Sequence, residues 1–230
     1  MITRTYQNIK LKFDITGNTY PPDKFTRLMA NSIKVKGKTV IDVGTGSGAL
    51  AIISKKLGAK KVTALDFVDE FKHSFQKNCA LNKISLEFNK SNLLKNLNET
   101  PDIIIANLAQ TPFPRSMDNS KWGGTDGTDK LREIIKQSYS KLKKHGKLYI
   151  GVVSLANPKR VEAELRKKFK VAKINQMRRY ISPKIANKWQ KGFFDYLLHQ
   201  QKKGKSFIYK DGKKHYYKFY IFEAIKQKDL

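Results

Sequence analysis

The chain has 230 residues, of which 40% are apolar, so it can bury a hydrophobic core within one domain of ordinary size. Its formal charge of +28 exceeds what solubility requires and favours a polyanionic partner, with nucleic acid or a ribonucleoprotein ahead of an acidic protein or an anionic membrane surface. The single cysteine, Cys79, excludes an internal disulfide bond and is typical of a cytosolic protein.

The amino-terminal segment MITRTYQNIKLKFD has neither the apolar stretch nor the cleavage site of a signal peptide. The longest mostly apolar stretch, residues 148–156, is too short to span a bilayer. We therefore expect a cytoplasmic protein that is neither secreted nor membrane-embedded. Three regions are expected: an N-terminal extension (1–36), a core domain (37–180), and a C-terminal helix with a hairpin that completes or caps the core sheet (181–230).

In the core, apolar runs that predict strands alternate with segments of helical period. The predicted strands are residues 38–43, 61–66, 84–88, 102–107 and 147–153. The predicted helices are residues 49–57, 69–82 and 131–144. The fourth strand is so uniformly apolar that both of its faces should be covered. This alternation predicts a doubly wound α/β fold, in which ligands bind beyond the carboxyl ends of the parallel strands.

The carboxyl-terminal part of the chain has a different composition. Residues 158–230 hold 21 basic and 6 acidic residues, a net charge of +15, and interleave tyrosine and phenylalanine with lysine. A strand over residues 170–177, a helix over roughly 185–202 and a hairpin with an Asp211–Gly212 turn are predicted here. Aromatic and basic side chains together suit base stacking and phosphate contact. Nucleic acid is therefore one expected partner of this region.

Residues 40–48 read VIDVGTGSG, a strand that runs into a glycine-rich turn before a helix. Glycine has no Cβ, so backbone N–H groups in such a turn can approach a ligand closely. The spacing also matches the dinucleotide fingerprint loosely, which does not decide the cofactor by itself. Asp42 favours S-adenosylmethionine over a dinucleotide as the cofactor. A carboxylate here would repel a pyrophosphate but attract the ammonium and sulfonium groups of S-adenosylmethionine.

A second carboxylate, Asp66, ends the next predicted strand, 18 residues after Gly48. A carboxylate in this position can accept hydrogen bonds from both hydroxyl groups of a ribose. Dinucleotides and S-adenosylmethionine both carry such a ribose, so Asp66 indicates an adenosyl nucleoside without separating the two cofactors.

Further segments carry a family resemblance: DIIIAN with a proline-containing loop after it, WGGTDGTDKLREII, and KLKKHGKLYI. Together with VIDVGTGSG and VTALD, they resemble the Rossmann-like, seven-stranded class I S-adenosylmethionine-dependent methyltransferases. Among these the chain is most similar to the HemK-like protein-glutamine methyltransferases and their amino-methylating relatives. The resemblance covers roughly residues 20–155. It implies the strand order 3-2-1-4-5-7-6 with an antiparallel last strand, which the C-terminal hairpin would supply.

The resemblance also implies how S-adenosylmethionine would be held. Asp42 would approach the ammonium group of the cofactor, directly or through water, and Asp66 would hold its ribose. Asn92 stands where the family usually has an aspartate that contacts the adenine amino group, so its amide oxygen would have to replace a carboxylate. The expected cofactor-binding residues are Asp42, Gly44, Thr45, Gly46, Gly48, Asp66, Phe67, Asn92, Leu93 and Asn107.

The catalytic tetrad of the family is altered. The family has Asn-Pro-Pro-Tyr or Asn-Pro-Pro-Phe after its fourth strand, and this chain has Asn107, Leu108, Ala109 and Gln110 there. The Asn107 amide oxygen and the Leu108 carbonyl can still hold the N–H groups of an acceptor and turn its nitrogen lone pair toward the methyl group. Because the aromatic platform is missing, either Phe113 is expected to replace it or Gln110 to bond the substrate edge.

These observations predict an enzyme that transfers a methyl group to a nitrogen of a macromolecule, first a glutamine or similar amide of a translation-associated protein. A nitrogen of an RNA or DNA base is the alternative acceptor. A third reading is a nucleic-acid-binding protein that keeps the fold with little catalysis. The expected partner is polyanionic or ribosome-associated, and no membrane partner is expected. The four histidines lack ligand spacing, so no metal site is expected.

Overall fold

The computed structural model describes residues 1–15, 19–114, 122–182, 189 and 192–227. The strands within these residues are β1 (Ile2–Tyr6), β2 (Ile9–Phe13), β3 (Thr39–Val43), β4 (Lys61–Asp66), β5 (Glu87–Lys90), β6 (Ile103–Ala106), β7 (Lys147–Val153), β8 (Phe169–Tyr180), β9 (Tyr209–Asp211) and β10 (Lys214–Lys226). The helices are α1 (Lys24–Ala30), α2 (Ala49–Lys56), α3 (Phe71–Leu81), α4 (Asp129–Lys141), α5 (Pro158–Arg166) and α6 (Phe193–Lys202). None of the helices described is long and apolar enough to cross a membrane.

The main sheet has the strand order β5-β4-β3-β6-β7-β10-β8, and the short strand β9 pairs with the start of β10. The first five strands in this order run parallel, whereas β10 is antiparallel to both β7 and β8. Counted from β3 along the chain without β9, the order is 3-2-1-4-5-7-6. The doubly wound fold with an antiparallel last strand is therefore confirmed.

Helices cover both faces of this sheet, which explains why its central strands are apolar throughout. Every residue of β6 is buried. Ile103 and Ile105 of β6 belong to the apolar layer that contains residues of α2 and α3. Ile104, between them, belongs to the layer that contains residues of α4 and α5. Successive side chains of a strand point to opposite faces, so a strand between two helical layers must be apolar at every position.

Several predicted boundaries differ from the structure. β5 begins at Glu87 and not at Ile84, because the Ile84 N–H donates to the Cys79 carbonyl (3.1 Å) and closes the end of α3. Helix α6 covers the second part of the predicted helix, while residues 183–188 and 190–191 lie outside the described residues. Helix α5 was not predicted from the sequence.

The β9-β10 hairpin closes through Gly212–Lys213, one residue later than predicted. Asp211 pairs with Lys214, so Asp211 is the last residue of β9 and not a turn residue. Gly212 has a φ of 55°, in the left-handed region that glycine adopts readily. β10 then runs between β7 and β8, which places the C-terminal strand inside the sheet.

The first two strands form a hairpin that packs on α3. The Asn78 side chain accepts the Asp14 N–H (2.7 Å), and the Asn82 side chain accepts the Lys12 N–H (3.0 Å) and donates to the Lys12 carbonyl (2.7 Å). The buried side chains of the hairpin are Tyr6, Leu11 and Phe13. The sequence pattern did not predict this hairpin, because the contacts that order it come from residues 64 and 70 positions further along the chain.

Candidate active site

The turn between β3 and α2, residues 44–48, contains three glycines with positive φ: 71° at Gly44, 51° at Gly46 and 85° at Gly48. A Cβ at Gly48 would lie 2.7 Å from the Phe75 ring, so packing alone requires glycine there. A Cβ at Gly46 would meet no atom within 4 Å. The turn therefore presents bare backbone at Gly46 to open space beside the amino terminus of α2, where a ligand can approach closely.

Asp42 lies beneath this turn and is 1% exposed. Its Oδ2 accepts the Thr45 hydroxyl (2.7 Å) and the Ala51 N–H (3.0 Å). Burial raises the pKa of Asp42 to about 7, although these two hydrogen bonds oppose the shift. The Thr45 N–H also bonds the Leu65 carbonyl (3.1 Å). The hydroxyl and the N–H of Thr45 thus both bond groups of the protein, and the expected contact between Thr45 and a cofactor stays a prediction.

Asp66 ends β4, the strand next to β3, and its carboxylate reaches the glycine turn. Its Oδ2 accepts the Gly46 N–H (2.9 Å) and its Oδ1 accepts the Val68 N–H (3.1 Å). Burial raises the pKa of Asp66, and the hydrogen bonds from the backbone lower it in part. Phe67 follows with its side chain 59% exposed. A carboxylate, bare glycine backbone and an exposed ring suit a ribose and a flat base.

Asn92 and Leu93 follow β5, on the other side of β4. The Ser91 N–H donates to the Asp66 carbonyl (2.8 Å), which brings this segment to the end of β4. The Asn92 side chain is exposed, and Leu93 is half-buried with a φ of 55°. The contact between Asn92 and an adenine amino group stays a prediction.

Asn107 is the first residue of the β6 loop, which we define as residues 107–114. This loop follows the carboxyl end of β6, the strand that pairs with β3 on the side opposite β4. The Asn107 side chain is half-buried. Among the residues that the structure describes, none is hydrogen-bonded to its amide. Leu108 packs on the glycine turn, since its Cδ2 lies 2.8 Å from the position of a Cβ on Gly44. Asn107 and the glycine turn thus share one edge of the sheet.

Gln110 lies elsewhere than the sequence predicted. Its side chain is buried, Nε2 donates to the carbonyls of Leu108 (3.2 Å) and Gly151 (3.1 Å), and Oε1 accepts the Val153 N–H (2.6 Å). The β7 groups that bond Gln110 lie just beyond the last residue pair between β6 and β7. The Gln110 amide therefore replaces β6 as the hydrogen-bond partner of β7 at this point. Both amide hydrogens are used, which contradicts the predicted bond from Gln110 to a substrate edge.

Phe113, the predicted replacement for the aromatic platform, is also buried. Its ring centroid lies 5.9 Å from that of Phe193 and 5.7 Å from that of Tyr196. Its N–H donates to the Gly124 carbonyl (3.1 Å). The ring is part of the core in this conformation, so the structure does not bring it to the open edge beside Asn107.

The Gly-Gly-x-Asp-Gly segment, residues 123–127, holds the β6 loop in place. The Gly123 N–H donates to the Thr111 carbonyl (3.0 Å). A Cβ at Gly123 would lie 2.5 Å from the Gln110 Cα, and one at Gly127 would lie 2.6 Å from the Gln110 carbonyl oxygen. Glycine is needed here because two backbones are in direct contact.

Asp126 of this segment has a role that the sequence did not reveal. Its carboxylate accepts hydrogen bonds from the Thr128 hydroxyl (2.6 Å), Asn157 (3.0 Å) and Arg160 (2.8 Å). Burial alone would raise the pKa of Asp126, but these hydrogen bonds lower it to about 2. The ionised carboxylate therefore joins the segment to the start of α5. Within the described parts of the chain, no cluster of His, Cys, Asp and Glu could hold a metal ion.

Comparison with known proteins identifies the fold and its cofactor. A family model for ribosomal protein L11 methyltransferase (PrmA) matches residues 26–119, which include the glycine turn, Asp66 and Asn107. The ribosomal protein L11 methyltransferase of Lactobacillus gasseri is 35% identical over 156 residues, which are 67% of this chain and 44% of that protein. The chain belongs to the class I S-adenosylmethionine-dependent methyltransferases. The match covers less than half of the length of the Lactobacillus gasseri protein.

Other members of this class differ in their acceptors. A Methanocaldococcus jannaschii protein provisionally named a protein N5-glutamine methyltransferase is 29% identical over 160 residues, 66% of this chain and 80% of that protein. A 16S rRNA methyltransferase of T. thermophilus, solved with AdoMet and guanosine, has a TM-score of 0.63 at 16% identity and covers 98% of this chain and 50% of its own. At that identity the likeness establishes the fold alone. The cofactor of the class is S-adenosylmethionine.

Alanine at Gly46 and at Gly48 is expected to separate cofactor binding from stability. Gly46→Ala should cost about 1 kcal/mol of unfolding free energy, since its Cβ meets open space, yet weaken S-adenosylhomocysteine binding by about tenfold or more, since the Cβ fills the ligand side of the turn. Gly48→Ala should cost about 3 kcal/mol because its Cβ meets the Phe75 ring. Urea unfolding and calorimetric titration measure both. Equal losses of stability would contradict this assignment.

Asp42 is expected to make stability depend on pH. Because its pKa is raised to about 7 in the folded protein, the folded state keeps a proton between about pH 4 and pH 7 that the unfolded state has released. Stability should therefore fall as pH rises through this window and level off above it. Asp42→Asn removes the titration, so the difference in unfolding free energy between the two proteins should shrink over the same window. A difference that is constant from pH 5 to pH 8 would contradict the raised pKa.

Proposed function

We propose that this protein transfers a methyl group from S-adenosylmethionine to an amide or amino nitrogen of a ribosome-associated protein in the cytoplasm. The observation that carries the proposal is the position of Asn107. Its amide is half-buried, has no hydrogen-bond partner among the described residues, and stands at the end of the strand beside the glycine turn. Within the described part of the chain nothing occupies this amide, which leaves it available to an acceptor.

S-adenosylmethionine, when bound, supplies a methyl group on a positively charged sulfur. Asp66 would hold the ribose, with the bare backbone at Gly46 beside it and the exposed Phe67 ring next to the base. Asp42, buried under the turn, would stabilise the positive end of the ligand once ionised. The space at Gly46 and the carboxylate over it support this placement.

The chain then has to orient the acceptor. The lone pair of an amide or aromatic amino nitrogen is delocalised, so the nitrogen attacks only if its N–H groups are held in a fixed direction. The Asn107 side-chain oxygen and the Leu108 carbonyl would accept these N–H groups. Gln110 contributes indirectly, since its bonds to Leu108 and to β7 fix the position of that carbonyl.

A protein acceptor is supported by the relatives, one named for ribosomal protein L11 and one provisionally for protein glutamine. The first of these is matched over only 44% of its length, so its acceptor reaches this chain as a proposal. An amino group of an RNA base is the second candidate. The charge of +28 and the aromatic and basic C-terminal strands favour it.

The acceptor class is tested by incubating the purified protein with radiolabelled S-adenosylmethionine and a ribosome-containing lysate. Protease should then remove the label from the macromolecular fraction, and RNase should leave it. Removal by RNase alone would replace the protein acceptor by RNA. No transfer despite tight cofactor binding would overturn catalysis itself.

A further inference from the structure

One face of the C-terminal strands is both aromatic and basic, and the activity proposed above does not use it. Tyr180 and Arg178 of β8 lie opposite Tyr216 and Lys218 of β10, and Tyr209 of β9 pairs with Tyr216. Partnered and alternate positions of a sheet share a face, so these side chains belong to one surface. Lys173 joins this surface through a register shift in β8, after which Lys173 pairs with Phe222, two positions from Tyr220. We call this surface the tyrosine face; its residues are Lys173, Arg178, Tyr180, Tyr209, Tyr216, Lys218 and Tyr220.

The cations of this face lie on its rings. The Lys173 Nζ is 4.8 Å from the ring centroid of Tyr220, the Arg178 guanidinium carbon is 5.0 Å from that of Tyr216, and the Lys218 Nζ is 4.5 Å from that of Tyr209. Contact with a ring restricts a long side chain, so the three charges are already ordered in the free protein. An anion that meets them loses less side-chain entropy than it would with freely moving lysines.

Tyr180 supplies an exposed ring beside these cations. It is 41% exposed, and its ring centroid lies 5.6 Å from that of Tyr216. Its hydroxyl donates to the Asp211 carboxylate (2.6 Å), which also lies 3.9 Å from Arg178. The ring is thus held from one side and open on the other, as stacking on a nucleic-acid base requires.

The face lies at the same end of the sheet as the candidate active site. Phe219 of β10 pairs with Val153, the last residue of β7, so Tyr216 and Lys218 lie beyond the carboxyl end of β7. Their partners Tyr180 and Arg178 lie at the same level. A strand bound along the face would therefore run toward the edge that holds Asn107.

Protection of a sheet edge explains only part of this arrangement. β8 is an edge strand, and charged side chains on such a strand prevent pairing with another chain. That accounts for Lys173 and Arg178. It does not account for Lys218, which is on the interior strand β10, or for the row of rings under the cations.

We propose that the tyrosine face binds a single strand of RNA, whose phosphates meet Lys173, Arg178 and Lys218 and one of whose bases stacks on Tyr180. The choice of RNA rests on the proposed ribosome-associated acceptor, since such a protein is surrounded by ribosomal RNA. Charge complementarity supports it: residues 158–230 carry a net charge of +15. The bound RNA would then hold the enzyme beside its protein acceptor, and the RNA itself would not be methylated.

The test is fluorescence anisotropy of a labelled single-stranded RNA oligonucleotide, measured without cofactor or acceptor so that it succeeds or fails independently of methyl transfer. The face variant combines Lys173→Gln, Arg178→Gln and Lys218→Gln. The control variant combines Lys36→Gln, Lys60→Gln and Lys144→Gln, which removes the same charge from exposed lysines at the amino ends of the parallel strands. The face variant should weaken binding by about tenfold or more and lower the slope of log K against log salt by about 2. The control should change affinity by less than about threefold.

Stacking is tested at Tyr180. Tyr180→Leu should weaken binding by about fivefold or more, and Tyr180→Phe, which keeps the ring, should bind as the wild type does. Equal weakening by the face and control variants would show attraction to total charge only and overturn the proposal. Tighter binding of single-stranded DNA, of duplex RNA or of polyglutamate than of single-stranded RNA would overturn it as well.

Discussion

Asn107→Ala is expected to lower the rate of methyl transfer about a thousandfold at saturating cofactor, which corresponds to about 4 kcal/mol of the activation barrier. The physical reason is orientation. Without the amide oxygen, the acceptor nitrogen keeps only the Leu108 carbonyl as a fixed partner and no longer points its lone pair at the methyl group. The rate is measured as label transferred per minute to the acceptor fraction of the lysate.

The same variant has an internal control. Among the described residues none bonds the Asn107 amide, so truncation should leave the melting temperature unchanged, and the affinity for S-adenosylhomocysteine should fall far less than the rate does. Asn107→Asp keeps an acceptor oxygen and should retain more activity than the alanine variant. A rate within about threefold of the wild type would show that Asn107 is not catalytic.

Gln110→Ala is expected to lower the unfolding free energy by about 4 kcal/mol, because it leaves three buried backbone groups without partners. These are the carbonyls of Leu108 and Gly151 and the N–H of Val153. For a protein of this size the melting temperature should fall by roughly 10 °C. Differential scanning calorimetry and urea unfolding measure the loss.

Two comparisons sharpen this result. Gln76→Ala removes an exposed glutamine side chain from α3 and should change stability by less than about 0.5 kcal/mol. Gln110→Glu has no N–H to donate to the two carbonyls and should be at least as destabilising as alanine. If Gln110→Ala kept full stability and lost methyl transfer, the glutamine would act on the substrate as its place in the tetrad first indicated.

The parts of the fold that the sequence predicted are those with a local cause. The glycine turn, Asp66 and the apolar strand β6 depend on side chains and spacing within a few residues, so pattern alone places them. The antiparallel last strand is different. It was predicted through the family resemblance, because β10 pairs with β7 across more than 60 residues.

The misassigned residues depend on distant contacts. Gln110 bonds backbone groups 41 and 43 positions away, and no feature of the sequence ANLAQTP distinguishes that from a bond to substrate. The N-terminal hairpin is ordered by Asn78 and Asn82 of α3. Tertiary partners that come from far along the chain thus decide these positions.

The central claim is that the ends of β3 and β4 hold S-adenosylmethionine and its thioether product and not a dinucleotide, and isothermal titration calorimetry tests it most directly. S-adenosylhomocysteine titrated into the purified protein should bind one molecule per chain with a dissociation constant in the micromolar range or below, corresponding to about −8 kcal/mol or stronger. NADH titrated under the same conditions should give no heat of binding. Tight binding of NADH together with no uptake of S-adenosylhomocysteine would contradict the account.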